Sequence, residues 1–505
     1  MNTKDKFRRT YPAIAIVLLF ILCLAPAVME WISGADSVLS VFSDIPTLIN
    51  LGNSVLFAVI CVLVSVVLGL PGAYIMAKFR FPLKGFFRWI LTFLMLLPVS
   101  VLALSTRFIL QKTGLQSINP LIPIGLVLVM SNTPLVVYFV GSRWIFLDDN
   151  CESCARSLGT KPAKVFFSIT TPRMRSEIAF SASLAFIRCF SDIAAFKILG
   201  DGSQTVNTCT FIYNLWQSGN QHAAQALSLA PFVITYIALM VMFLDSWKDI
   251  SREKRAVVAK TFISKLFTAI YLLVCLAVFV SPFVVFAITI LSGSPVSSIS
   301  GLFGSLKAPG TGSLLYSAII SVSAALICTF LSKRLSFAIA RNAFPTTLAF
   351  LPLTFGAAVL SMGFSLIGKL LPFVNPLILA ILATVARFIP VAVLVLLSAI
   401  LGIPEDFSNV SRTLGFNARY SFRNIDSVLL RPSFIESFFV VTFLSFGEFG
   451  TPAFLSGNTV PTQLVKLLES GDSIGACIMA AIILLVSIVF YSVAYGLHTK
   501  GTSNA

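Results

Sequence analysis

Twelve separate apolar runs, each close to the length a helix needs to cross a lipid hydrocarbon core, constrain this chain more than any other feature. They fall at about 11–32, 52–77, 87–111, 121–142, 177–199 and 223–244, then at 264–291, 313–340, 344–368, 376–402, 433–456 and 475–497. Backbone polar groups inside lipid must be satisfied within the segment, which runs of this length achieve as helices. The expected fold is all-α: a polytopic membrane protein of about 12 transmembrane helices in two six-helix halves. Internal prolines such as Pro98, Pro134, Pro352 and Pro390 are compatible with that, because neighbouring helices can satisfy the freed backbone groups. Only 11% of the 505 residues are charged and 57% are hydrophobic, leaving little chain for a water-soluble domain. A folded ATP-hydrolysing module, a nucleic-acid binder and an ordinary soluble enzyme are all excluded on this ground.

Lys and Arg outnumber Asp and Glu by 36 to 20, and in a polytopic chain such an excess marks the cytoplasmic segments. With both termini inside, the outer loops hold only Arg107, Lys112, Lys307, Lys369 and Lys466. The first run follows Lys4, Lys6, Arg8 and Arg9 and stays apolar through Trp31, so it reads as a retained anchor helix. The polar stretch Asp245 to Lys265 reads as a solvated cytoplasmic tether. The expected domains are therefore residues 1–245, a basic linker at 246–263, and residues 264–505.

The nine cysteines mostly sit in apolar runs, where a thiol acts as a small hydrophobe, and no disulfide framework is expected. Cys151 and Cys154 form a C-x-x-C, but no second pair accompanies them and the only histidines are His222 and His498. Chance packing accounts for the pair better than a metal or redox site does. No metal, no cofactor and no catalytic residue is expected.

One fixed offset of 256 residues brings the halves into register. Asn119-Pro120-Leu121-Ile122 falls on Asn375-Pro376-Leu377-Ile378, Pro134 on Pro390, and Arg156-Ser157-Leu158-Gly159 on Arg412-Thr413-Leu414-Gly415. Phe166 falls on Phe422, Ile169 on Ile425, Arg175 on Arg431 and Asp192 on Glu448. Halves with an even number of spans enter the membrane alike, so the repeat is parallel and pseudo-symmetric, with a central pathway expected between the bundles.

The same offset matches the longest cytoplasmic loops, 143–176 and 403–432. In the first, Glu152 to Leu158 suits a short helix, Gly159 a break, and Thr160 with Pro162 the start of a second helix. That second helix carries Val165, Phe166 and Ile169 on one side; in the other loop Gly415 breaks, Asn417 caps, and Phe422 with Ile425 repeats the apolar side. Such a side either folds back on its own bundle or docks a partner, and its duplication favours a two-fold partner.

These loops resemble the cytoplasmic signature of permeases of binding-protein-dependent ATP-binding-cassette importers, E-A-A-x-x-x-G closed by I-x-L-P. Here it reads Ser153-Cys154-Ala155-Arg156-Ser157-Leu158-Gly159 through Ile169-Thr170-Thr171-Pro172, and Asn409-Val410-Ser411-Arg412-Thr413-Leu414-Gly415 through Ile425-Asp426-Ser427-Val428. Glu152 stands one place before the family's Glu position, and Val428 replaces the closing Pro. Ser445-Phe446-Gly447-Glu448-Phe449-Gly450, matched by Phe190-Ser191-Asp192-Ile193-Ala194, is similar to fused double-length permeases for ferric iron, with thiamine and phosphonate importers as relatives. The stretch Thr208 to Trp216 leans toward the iron group.

The resemblance implies a type I importer permease fold in a bacterial plasma (inner) membrane. It implies two cytoplasmic ATP-binding-cassette subunits and an external solute-binding protein as partners, with ATP hydrolysis on the separate subunits and no nucleic acid involved. Ferric iron is the expected solute, with thiamine or a phosphonate as alternatives. Carried onto this chain, the ATPase-coupling residues are Glu152, Ala155, Gly159, Phe166, Ile169 and Pro172 in one loop and Arg412, Gly415, Phe422 and Ile425 in the other. A phosphate-loop near miss, Gly363 to Gly368 followed by Lys369 and Leu370, has no hydroxyl for magnesium and no preceding strand.

Ionisable groups within spans cost several kcal/mol unless they face a cavity or find a partner. Asp192, Glu448, Arg188 and Arg387 are therefore candidates for the translocation pathway or a gate, with Lys197 beside them. The plainer use is internal pairing, such as Arg188 with Asp192 one turn apart or Arg387 with Glu448. From another class, an ion-gradient-driven secondary transporter shares the two six-helix halves but has no need of two matched loops.

Overall fold

The computed structural model describes residues 41–115, 117–144, 150–200, 207–243, 257–258, 262–292, 311–340, 346–402, 410, 413–415, 420, 427–455 and 458–503. The first half contains α1 (Ile45–Lys78), β1 (Phe79–Arg80), α2 (Lys84–Leu96), α3 (Val99–Thr113), α4 (Leu121–Trp144), α5 (Asn150–Ser157), α6 (Pro162–Val165), α7 (Thr171–Arg173), α8 (Arg175–Phe190), α9 (Ala194–Leu199), α10 (Thr208–Gln217) and α11 (Gln221–Met242). Beyond it come β2 (Val257–Val258), α12 (Phe262–Ser292), α13 (Thr311–Ala340), α14 (Thr346–Phe350), α15 (Ala357–Leu370), α16 (Pro376–Gly402), α17 (Ser427–Leu429), α18 (Arg431–Phe446), α19 (Gly450–Leu455), α20 (Val460–Glu469) and α21 (Ser473–Ser503).

Among the described residues, seven helices are long and apolar enough to cross a membrane, and nine if each of two bent pairs is one span. The runs predicted at 87–111 and 344–368 are these bent pairs: α2 and α3 meet at 94°, and Thr346–Thr354 meets α15 at 87°. Leu97 is extended (φ −57°, ψ 131°), as the residue before a proline prefers, and Pro98 then opens α3. The runs at 177–199 and 433–456 are also broken, into α8 plus α9 and α18 plus α19. Arg107, expected in an outer loop, lies inside α3, and the phosphate-loop near miss is the end of α15. The first predicted run lies outside the described residues.

The chain forms two compact units. One contains Ile45–Thr210 and Val233–Thr289; the other contains Phe211–Phe232, Ile290–Ala505 and the few described residues before Ile45. The units do not follow the sequence repeats, because each takes in a piece from across the linker. In the first unit Tyr271 of α12 fills the notch left by Gly72 of α1, and Phe279 stands edge-on to Trp89 and Phe93 at 5.6 Å. In the second, Tyr213 packs on Phe454 at 5.2 Å and Phe232 stacks on Phe355 at 4.9 Å. Val257 and Val258, read from sequence as solvated tether, pair in parallel with Phe79 and Arg80.

Small residues let the long helices approach closely, as in helix packing within lipid. A Cβ on Gly69 of α1 would stand 2.6 Å from the Val136 side chain of α4, and Ala73, Ala77, Val136, Val140 and Trp144 form a buried cluster with Met174. Between α13 and α16 a stripe at every fourth residue donates across the interface: Cys328 Sγ to Val385 O at 3.4 Å, Ser332 Oγ to Ile389 O at 3.3 Å and Ser336 Oγ to Val393 O at 3.4 Å. The stripe flanks Pro390, whose missing N–H interrupts the bonding of α16 itself.

Local geometry repeats along with the sequence. Asn119 Oδ1 accepts the Leu121 N–H at 3.0 Å, and Asn375 Oδ1 accepts that of Leu377 at 2.9 Å. Past residue 200 the offset drops to 252 and the repeat continues: Gly219 and Gly471 both have φ of +85°. Ser54 Oγ accepts the Thr208 N–H at 3.0 Å to start α10, and Ser317 Oγ accepts the Val460 N–H at 2.8 Å to start α20.

Candidate functional site

The loop that follows α4 opens with α5, whose end is a Schellman closure. Gly159 N–H donates to Arg156 O at 2.9 Å and Thr160 N–H to Ala155 O at 3.1 Å, with Gly159 at φ +80°. The next helix starts at Pro162, and Lys161, one place after the predicted Thr160, accepts its first bond from Val165 N–H at 3.1 Å. Phe166–Thr170 then widens into a π turn ahead of Pro172, which has no N–H to give to the preceding turn.

This loop is tied down at several points. Thr170 Oγ1 donates to Glu152 Oε1 at 2.7 Å, joining α5 to the π turn, and Arg143 Nε lies 3.4 Å from Glu177 Oε1 at the loop's base. Val165 is buried, and Phe166 stacks on the buried Trp144 with ring centres 6.0 Å apart. Phe166, expected on the docking side, thus faces its own bundle, and Ile169 is half-buried. The apolar groups turned outward are Leu158, 86% exposed, and Phe167, 70% exposed. Sequence reasoning passed over both, although Leu158 sits one residue before the predicted break.

The second loop is described at residue 410, around its break at 413–415, at residue 420 and from residue 427 onward. Gly415 has φ +81°, Leu414 N–H donates to Val410 O at 3.1 Å, and Leu414 is 68% exposed. Leu414 is the 256-residue counterpart of Leu158, so an exposed leucine before a left-handed glycine occurs in both loops. Arg412, Phe422 and Ile425 lie outside the described residues, as does Asn417.

The second constellation surrounds the broken spans. Asp192 Oδ1 accepts the Ala195 N–H at 2.8 Å and Glu448 Oε1 accepts the Thr451 N–H at 3.3 Å, so each carboxylate caps the first turn of the short helix that begins two residues on. Asn207, absent from the sequence reading, donates to Asp192 O at 2.7 Å and accepts the Thr210 N–H at 2.8 Å. Arg387 Nε stands 3.1 Å from Glu448 Oε1, the internal pairing named among the sequence alternatives.

In the first unit, two arginines cross-brace the broken helices. Arg188 Nη1 donates to Met95 O at 3.1 Å, just before the α2–α3 bend, and Arg107 Nη1 donates to Ile198 O at 2.6 Å near the end of α9. Both satisfy carbonyls that a helix break leaves without an internal partner. Among the described residues no group of three His, Cys, Asp or Glu side chains is placed to hold a metal ion.

The architecture is that of a polytopic membrane protein with broken spans and a loop pair repeated in sequence. Residues 69–255, which include the first loop and the first Asp-capped break, match the family of the binding-protein-dependent transport system inner membrane component. The chain is 23% identical over 198 residues to the molybdate/tungstate transport system permease protein WtpB of Pyrococcus furiosus, covering 39% of this chain and 76% of that one. It is 24% identical over 236 residues to WtpB of Methanocaldococcus jannaschii, covering 45% and 93%. A ferric transport system permease protein, FbpB of Actinobacillus pleuropneumoniae, is 28% identical over 118 residues, 23% of this chain and 17% of that one.

Proposed function

We propose that this chain is the membrane permease of an ATP-driven, binding-protein-dependent importer, carrying both halves in one polypeptide: residues 1–245 and 264–505 joined by the linker 246–263. The observation that carries the reading is the pair of exposed leucines, each before a left-handed glycine, in loops equivalent by sequence. A helix end so exposed offers a side chain with no partner of its own, and the family match to residues 69–255 supports an ATPase as what it meets. In this reading the loops face the cytoplasm, which the positive charge distribution supports, and each receives one of two ATP-binding-cassette subunits. Glu152, Ala155, Gly159, Pro172, Arg412, Gly415, Phe422 and Ile425 position the two contacts, while Phe166 and Ile169 anchor the first loop to its bundle. ATP is hydrolysed on the partner subunits, and solute arrives from an external binding protein.

Asp192 and Glu448 in this reading hold the broken spans in shape, with Arg188 and Arg387 completing the bracing of a pathway. For the solute, the motifs around Glu448 and Thr208 support ferric iron. The relatives named for molybdate/tungstate support an oxyanion as the second reading. Uptake of labelled ferric iron against molybdate, with the binding protein supplied, separates the two.

The test of the permease reading is co-purification of an ATPase subunit with the full chain, comparing wild type with Leu158→Asp and Leu414→Asp. Each substitution is expected to lower the captured ATPase by about tenfold, the scale of losing one anchoring side chain. Undiminished capture in the double variant, or uptake that collapses with a proton uncoupler while ATP is maintained, sinks the reading in favour of a secondary transporter.

A further inference from the structure

Cys151 and Cys154 are both exposed on α5, whereas Cys61, Cys189, Cys209, Cys328 and Cys477 are buried and Cys275 is half-buried. Packing therefore does not account for this C-x-x-C. With Leu158 the two thiols sit at i, i+3 and i+7 of one helix and its closure, the spacing that places side chains on a single face. Glu152, between them, turns the other way to Thr170, which fixes the rotation of the helix.

The other loop shows what such a face carries when it has no thiols. The 256-residue offset puts Phe407, Val410 and Leu414 on Cys151, Cys154 and Leu158. Val410 is 56% exposed and Leu414 is exposed beside it; Phe407 lies outside the described residues. Two thiols thus occupy positions that are apolar in the second copy, on the face proposed to meet the ATPase.

We propose that Cys151 and Cys154 are a dithiol modification site that forms a reversible disulfide and thereby weakens ATPase docking at the first loop alone. The inference rests on the proposed docking role of that loop. Residues three apart on a helix hold their Cβ atoms about 5–6 Å apart. A disulfide needs them about 3.5–4.5 Å apart, so closing the bond distorts the first turn of an eight-residue helix. The oxidant is a low-molecular-weight disulfide. One thiolate attacks it, forming a mixed disulfide and expelling one thiolate; the second cysteine, deprotonated, attacks the protein sulfur and expels the other. Two protein thiols are oxidised, one disulfide is reduced to two thiols, and the two protons lost by the protein end on the leaving groups.

The experiment treats the full chain in membranes with oxidised glutathione and then alkylates the free thiols for peptide mass analysis. A parallel sample is tested for ATPase co-purification, with Cys151→Ser/Cys154→Ser as control. The expected result is loss of alkylation at both positions, a single peptide lighter by two hydrogens, and about tenfold lower ATPase capture, all reversed by dithiothreitol and absent in the control. Thiols that stay alkylatable, or that stop at glutathione adducts, overturn the proposal whatever Leu158→Asp does. A disulfide that forms without changing ATPase capture also overturns it. If Leu158→Asp lowers capture in the same assay the docking reading survives, and if it does not that reading falls too.

Discussion

Arg387 and Glu448 form an ion pair at 3.1 Å between the middle of α16 and the break before α19, with both side chains largely withdrawn from solvent. Removing one partner strands a charge in a low-dielectric setting, whereas removing both removes the problem with it. Arg387→Met or Glu448→Gln alone is expected to cost about 3 kcal/mol, and the double variant clearly less than the two together. A double-mutant cycle on unfolding in detergent measures the coupling; strictly additive costs count against it.

Asp192 caps α9, and Asn caps as well as Asp does. Asp192→Asn is expected to leave stability nearly unchanged while Asp192→Ala costs about 1 kcal/mol, seen as faster hydrogen exchange in 194–199. Loss of uptake in Asp192→Asn at normal stability and assembly points instead to a gate that needs the charge.

Gly159 and Gly415 have open space where a Cβ would go, so only their left-handed backbone resists substitution. Alanine at either site is expected to cost about 1–2 kcal/mol locally, and asparagine less. Limited proteolysis of the loop and ATPase co-purification should both rank the variants Gly, Asn, Ala; equal behaviour of all three contradicts a left-handed closure at these glycines.

Tyr271 fills the notch at Gly72, and its buried hydroxyl has no hydrogen-bond partner among the described residues. Gly72→Val therefore drives a branched side chain into the ring, at about 1–3 kcal/mol or more, with yield recovered in part by Tyr271→Ala. Tyr271→Phe is expected to be neutral or stabilising, because it removes an unsatisfied polar group. Thermal stability in detergent checks all three; a marked loss in Tyr271→Phe shows that the hydroxyl is bonded.

How far the sequence could be read depended on range. Gly159, Gly415 and Pro162 are local devices, legible because the residue and its neighbours set the geometry. The bends at Leu97 and Phe355 were missed because hydropathy measures how apolar a run is, and a right-angled pair is as apolar as a straight span. Phe166 was read on helical spacing, which puts it on a face but cannot say which face finds Trp144. Asn207 carries no periodic signal, and its role exists only because two chain breaks meet it.

Composition, apolar runs and the 256-residue register were enough to determine a helical membrane protein with an internal sequence repeat, since lipid admits few backbone solutions and a repeat is visible without coordinates. Tertiary structure alone decided which apolar groups of the first loop point outward, that Asp192 and Glu448 cap broken helices, and that α12 packs with Gly72 from across the linker. Those outcomes depend on contacts between residues distant in the chain, whose energies no local pattern contains.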